Sequence, residues 1–453
     1  MKIKMVVLAI IFSILLVIPA TSYQADMVDN SYVKGKSNEI ETAIINDENT
    51  LYVGGSGEGN YSSIQDAIND SNDGDTIFVY DDSSPYYENI DINKSVNLIG
   101  ETKETTVIDG EKKGNVIYVC GNGVHISNFT IQRGGEGWPG AGIFIRSSDN
   151  VISNNIIKNN GEGIIIMDLV SKHNKIRKNS VVNNTETGID LFNADGNIIK
   201  ENNVLCNGGD GITIADAGSN TIEKNVLADT IYLGRAYRNI VRDNSFTENG
   251  VRIWYSSGNK LSNNTINGKP IVYLEDKTDV EINEGAQVIL VGCERITIKN
   301  LNVSNTCCAI HLLFCNECTV EENILESNSY GIEMYSCKKN LIEKNKIFNS
   351  AHDGVSLWDS YKNILKENTF KNNRRGITLA RGSSMNRILS NNFMENEMHA
   401  IFYSSFQNWW LRNYWDNWKL PLPKPISGTF FGFPWIQFDW MPRLKPYEDG
   451  GRK

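Results

Sequence analysis

The densest group of metal-ligating side chains in the sequence is Cys307, Cys308, His311, Cys315 and Cys318. Thiolate and imidazole in one place suit Cu(I) or Zn. A second group lies a little further on. It comprises the carboxylates Glu333, Asp353 and Asp359, the bases His352 and His399, the cations Arg375 and Arg381, and the aromatics Tyr335 and Trp358. Two carboxylates can act as acid and base in glycoside hydrolysis, and aromatic rings offer flat apolar surface to the apolar faces of sugars. Whether either group does chemistry depends on the elements that bring its members together.

Those elements are repeats. Asn makes up 57 of 453 residues, which disfavours helix because its amide competes for backbone groups and tolerates turns. A similar phrase restarts at Asn150, Asn174, Asn197, Asn220, Asn239, Asn259, Arg295, Cys318, Asn340, Asn363, Asn386 and Asn408, mostly 22 to 24 residues apart. Five residues after each start is another Asn, from Asn155 and Asn179 through Asn300 to Asn413, and Gly123 begins an earlier unit with Asn128 in register. Gly followed by alternating apolar residues recurs at Gly163, Gly188, Gly211, Gly331, Gly354 and Gly376. Alternation of period two predicts short strands with one buried face, which only stacking of copies can cover.

The sequence therefore predicts an all-β fold, a right-handed parallel β-helix solenoid of a dozen or so coils, with the Asn column as a hydrogen-bonded ladder. Helical spacing of Tyr61, Ile64, Ala67 and Ile68 predicts a capping helix within Tyr61 to Asn72. Six of the nine Trp, with several Pro, predict an irregular aromatic cap at the C-terminal end. The expected divisions are a signal peptide (1–25), a linker (26–50), an N-terminal cap with the first coils (51–122), the repeats (123–413) and the cap (414–453). Lys2 and Lys4, the apolar run Met5 to Ile18, and Pro19-Ala20-Thr21-Ser22 have the form of a secretory leader. This places the mature chain outside the cytoplasm, with membrane contact only through that segment if it stays uncleaved. A net charge of -10 without a basic stripe argues against a nucleic-acid partner.

The phrases Tyr61-Ser62-Ser63-Ile64-Gln65-Asp66-Ala67-Ile68, Gly74-Asp75-Thr76-Ile77, Tyr87-Glu88-Asn89-Ile90, Leu98-Ile99-Gly100 and Thr106-Val107-Ile108-Asp109-Gly110 resemble the opening of NosD-type β-helix proteins, within the wider carbohydrate-binding and sugar-hydrolase group. Asn267-Gly268-Lys269-Pro270-Ile271, Asn413-Tyr414-Trp415 and Phe438-Asp439-Trp440 resemble secreted archaeal members. The likeness spans about residues 51 to 447. It implies the fold strongly and the function weakly. A polysaccharide or envelope glycan is the expected partner, and the cofactor is left open between none, copper and calcium.

Position in the repeat argues for the plainer reading of the cysteines. Cys120, Cys315 and Cys337 each stand three residues before a start, where other coils place Ser or Ala, so they fill a small-residue column. The aligned glycines put Tyr330, Asp353 and Arg375 in one column, continued by His399, with His352 and Arg374 beside it and Glu333 two residues past Gly331. Cross-strand pairing of Asp353 with Arg375 and of Asp359 with Arg381 is the structural alternative to ligand binding. The motifs of polygalacturonase-like and alginate-epimerase-like β-helices are missing, the one Asp-Asp being Asp81-Asp82. The loop Gly134 to Gly140 is expected to protrude as a plain flexible loop, with Trp138 placed over a ligand as the alternative. The leading expectation is a secreted carbohydrate-binding or envelope surface protein. A polysaccharide-processing enzyme and a copper-handling protein are the alternatives.

Overall fold

A computed structural model describes residues 49–448. The expected signal peptide and nearly all of the expected linker lie outside the described residues, as do residues 449–453. Among the described residues no helix is long and apolar enough to cross a membrane.

The capping helix is Ile64–Asp70, with Ser63 as N-cap and Ile64, Ala67 and Ile68 buried. Beyond it the chain is a parallel β-solenoid of about 17 turns, each giving up to three short strands to sheets that run the length of the stack. The expected dozen was low because the first turns and the short turns near residue 280 lack the Asn phrase.

The Asn ladder is present and fully buried. Asn155 Nδ2 donates to Asn179 Oδ1 at 3.1 Å, and the series continues through Asn202, Asn225, Asn244 and Asn264. A second series runs from Asn323 through Asn345, Asn368 and Asn391 to Asn413. It ends on buried Asp439, which accepts from Asn413 Nδ2 at 2.9 Å. Two expected rungs are not rungs. Asn128 and Asn300 occupy the preceding turn position at φ 65° and 58°, a left-handed conformation that Asn tolerates. Phe129 and Leu301 stand in the column instead, each donating its backbone N–H to the next Asn. The start positions form another ladder, as from Asn174 to Asn197, and a third runs Asn160–Asn184–Asn207.

The small-residue column is as expected for Cys315 and Cys337 but not for Cys120, which is exposed; Val124, not Gly123, bonds Asn150, so Gly121 holds the column in that turn. Cys315 and Cys337 direct their thiols at carbonyls of the preceding turn, Leu290 and Leu312, as Ser360 and Ser383 direct hydroxyls at Met334 and Leu357. All eight cysteines are free.

The stack is not one continuous rod. Its eight-stranded sheet ends at Val251–Trp254 and its ten-stranded sheet at Lys260–Ser262. An antiparallel pairing of Thr265–Ile266 with Lys269–Glu275 then turns the chain into a second parallel stack. In that stack Val288, Leu290, Ile310 and Leu312 point into its own core. The alternate residues Ile289, Val291, Leu313 and Tyr335 pack with Phe246, Val251, Ile253 and Ile266 of the first stack. The outer face of one sheet thus covers the open end of the other solenoid, hiding strand edges and core that a terminus would expose. Gln287 stitches the joint, bonding both backbone groups of Val251 and the carbonyl of Cys308.

At the C-terminal end the cap is an ordered hairpin, Lys424–Phe430 with Phe433–Asp439, rather than irregular chain. Phe370, Phe393 and Trp415 stack beneath it at 5.1 and 4.2 Å.

Candidate functional site

The third strand of each turn carries the side chains of interest. In the first stack, cross-strand register aligns the outward residues Tyr118, Phe144, Ile165, Asp190, Thr213, Tyr232 and Arg252 in one column. In the second, Ile289, His311, Glu333, Ser356 and Thr378 align in the equivalent column. The two columns meet at the joint. Arg252 Nη2 lies 2.8 Å from Glu333 Oε1, across 81 residues of sequence, and its guanidinium lies over the Tyr330 ring at 4.7 Å.

This meeting buries what the sequence reading placed on an open face. Glu333 and His311 are each 0 % exposed. Glu333 also accepts from the Tyr335 hydroxyl at 3.2 Å. Burial opposes its charge, but the guanidinium of Arg252, with His311 and the Tyr335 hydroxyl, more than offsets this and holds the carboxyl below its usual range. Burial pushes His311 down to about 4, and burial with the Glu333 charge pushes the Cys308 thiol well up. Asp353 is buried in a pair with Arg375 and accepts from Thr378 Oγ1 at 3.0 Å. His352 lies against Tyr330 and Arg374, its basicity lowered by burial first and by the arginines second.

His399 is one residue out of the expected column. Register pairs Arg375 with Met398, while His399 is buried between Asn396 and Asp416, with Nε2 2.7 Å from the latter. Asp359 is exposed and accepts from Ser336, and Arg381 lies over the Trp358 ring at 5.3 Å rather than beside Asp359. Of the cysteines, Cys308 comes together with His311, whereas Cys315 and Cys318 point into the second core. Cys307 is buried beside Gln287.

An aromatic arc crosses the joint on the flank of these columns. Trp254 contacts Tyr255 at 4.8 Å, Tyr255 contacts Phe314 and Tyr335 at 6.3 Å, and Tyr335 stacks on Trp358 at 5.9 Å. Arg235 lies over Trp254 at one end and Arg381 over Trp358 at the other. Tyr255 and Phe314 are 41 % and 38 % exposed. At the far end of the first stack Trp138 is 6.1 Å from Phe144, beside an open cavity of about 500 Å³ lined by Asn89, Asp91, Lys113, Tyr118 and Phe144.

The sequence reading missed three carboxylates on the first stack. Burial pushes Glu162 up to about 8, helped by the charges of Asp190 and Glu186. It pushes Asp190 and Asp210 up to about 6, Asp210 against the opposing pull of Arg252. The signal was available. Glu162 and Asp210 immediately precede Gly163 and Gly211, and Asp190 stands two past Gly188, the same two offsets that single out Asp353 and Glu333 in the second stack.

A family model described as periplasmic copper-binding protein (NosD) matches residues 277–419, and one described as right handed beta helix region matches residues 114–266. Each match covers about a third of the chain, which is a right-handed β-helix with a NosD-like stretch in its second half. A search of curated proteins finds no match. Solved structures that it is similar to include the mannuronan C-5 epimerase AlgE6 A-module of Azotobacter vinelandii, at 14 % identity and TM-score 0.32, covering 76 % of this chain and 91 % of that one. The catalytic domain of a GH87 alpha-1,3-glucanase in complex with nigerose aligns at 13 % identity and TM-score 0.42, covering 74 % and 66 %. An alginate lyase from a Paenibacillus species aligns at 14 % and 0.30, covering 66 % and 94 %. The copper in the family's description has a donor set to be tested against here. Cys308, His311 and Glu333 each offer a ligand atom, all within 4.8 Å of one another. Among the described residues neither ring nitrogen of His311 has a hydrogen-bond partner. Sulfur and imidazole nitrogen suit copper, so the residues fit.

Proposed function

We propose that this chain is a carbohydrate-binding protein of the cell exterior, holding an extended saccharide along the outer face of the third strands, from Trp138 to Trp358. The aromatic arc across the joint carries this reading. Sugar rings stack on partly exposed aromatic faces, and Arg235 and Arg381 fix Trp254 and Trp358 from outside. The column from Tyr118 to Arg252 spans seven strands, about 30 Å at ~4.8 Å per strand, which is room for an oligosaccharide. Exterior location is supported by the periplasmic description of the matching family and by the leader-like N-terminus.

A glycan array with the purified chain, followed by calorimetry, tests the proposal. Trp358→Ala or Tyr255→Ala should weaken binding by on the order of 1 kcal/mol, about fivefold. Array-wide absence of binding would overturn it. A second reading, saccharide cleavage, is favoured by Glu162 and Asp190, whose raised proton affinities suit acid–base work. New reducing or unsaturated ends that vanish in Glu162→Gln or Asp190→Asn would support it, and binding without such ends would exclude it.

A further inference from the structure

We infer that Cys308 and His311 form a buried Cu(I) site at the joint, with the Arg252–Glu333 pair closing it. This inference does not depend on saccharide binding. Two observations carry it. The three candidate ligand atoms of Cys308, His311 and Glu333 converge within 4.8 Å, and all three residues are 0 % exposed. His311 is also an orphan, with two buried ring nitrogens and no hydrogen-bond partner among the described residues. Leaving such groups unpaired is costly, and proteins rarely keep one without a use for it.

Charge selects the ion. Glu333 is held by Arg252 at 2.8 Å, so the pair cancels and adds no net charge to the pocket. A metal held by the Cys308 thiolate and the His311 imidazole therefore meets one ligand charge. A monovalent ion that replaces the thiol proton balances it. Cys308–SH and Cu⁺ give Cys308–S–Cu and H⁺, the proton leaves to solvent, and a His311 nitrogen supplies a lone pair. No oxidation or reduction occurs. Zn²⁺ bound by the same exchange would leave one uncompensated positive charge in a water-free pocket beside Arg252, which burial penalises heavily. Soft thiolate ligation also favours Cu(I). The carboxylate of Glu333, 3.7 Å from His311 Nε2, serves as a positioning group, as outer-shell carboxylates do for metal-bound histidine.

The test uses the full chain with the exposed Cys120 and Cys206 changed to Ser, which removes adventitious thiols. Cu(I) is supplied anaerobically as its bicinchoninate complex, both to folded protein and during refolding, because the site has no open atom. One equivalent should be withdrawn from the chelator, and copper-edge X-ray absorption should show one sulfur and at least one imidazole nitrogen. Cys308→Ser and His311→Leu should each weaken retention by more than about 100-fold, beyond the effect of losing an outer-shell group. Cys315→Ser should leave it unchanged, and Zn(II) should not be retained. Failure of the parent protein to withdraw copper, or sulfur-only ligation in its spectrum, overturns the site even where a variant does not fold. Equal retention by folded Cys308→Ser would do the same.

Discussion

Replacing Arg252 with Met removes one half of the pair on which the joint closes. Glu333 has a side-chain exposure of 1 %, so its charge would stay buried with only Tyr335 donating to it. Breaking a buried pair from one side costs about 3–5 kcal/mol. Arg252 is itself 31 % exposed at the side chain, which lowers what the intact pair contributes, so about 3 kcal/mol is expected. The deficit should depend on pH. In the parent, Arg252 holds Glu333 below its usual range, so this contribution is present above the unfolded carboxyl value and is lost as pH falls through the folded one. In Arg252→Met only burial and neighbouring groups remain, the folded value rises above the unfolded one, and the deficit shrinks as pH falls and Glu333 takes up a proton. The double variant Arg252→Met/Glu333→Gln, with no charge left to bury, should regain at least half of the loss. Urea unfolding followed by tryptophan fluorescence and circular dichroism, from pH 4 to 8, measures all three. A single variant within about 1 kcal/mol of the parent at neutral pH, or a double variant no better than the single, would refute the reasoning.

Three further outcomes follow from the same geometry. Asn345→Leu removes the partner of the Asn323 N–H, the Asn345 bond to the Val320 carbonyl and one of the two bonds of the Asn323 amide, which keeps the Ile298 carbonyl; at roughly 1 kcal/mol or more for each group left unpaired, a loss of about 2 kcal/mol or more is expected by thermal unfolding, and unchanged melting would count against the ladder. Gly354→Ala places a Cβ 2.7 Å from the Gly376 carbonyl oxygen of the next turn, so it should lower the melting temperature, while Gly382→Ala, with nothing within 4 Å but φ at 84°, tests backbone strain alone. Because Glu162 and Asp190 are raised to about 8 and 6, the folded state binds more protons than the unfolded one across this range. Stability should therefore fall as pH rises from about 4.5 to 8, and Glu162→Gln should flatten that slope in the same unfolding assay; a slope left intact would contradict the burial of Glu162.

The ladder and the small-residue column were legible in the sequence because each repeats at a fixed offset and each has a local cause. Asn128 and Asn300 show where that logic slips. Asn satisfies the left-handed turn position as well as the rung one residue later, so the residue type alone does not separate them, and the apolar Phe129 and Leu301 were the marks of the true register. His399 slipped by one as well: three residues after Asn396, it stands where other coils have Gly, as Gly376 follows Asn373, and Met398 holds the column of Tyr330, Asp353 and Arg375. The burial of Glu333 and His311 was not legible at all. Their offsets from the aligned positions are those of outward residues, and they do point outward from their own stack. What covers them is Arg252 and the end of another stack, a contact that no periodicity records.

That contact also explains why the candidates for function gather where they do. Along a straight solenoid the lateral face meets solvent, and a charged side chain loses its ordinary acid–base character only where neighbours on that face crowd it, as at Glu162 and Asp190. Interrupting the stack near residue 270 lays one sheet across the end of another, and water is excluded from a row that would otherwise face it. Arg252 then pairs with Glu333, His311 loses its hydrogen-bond partners, and Tyr255 and Trp358, from different stacks, join one aromatic arc through Tyr335. Each of these is an ordinary repeat residue taken by itself. Their chemistry comes from the break in the repeat, so an inserted or deleted turn between residues 267 and 306 should disturb the metal site and the aromatic arc together while leaving both Asn ladders intact.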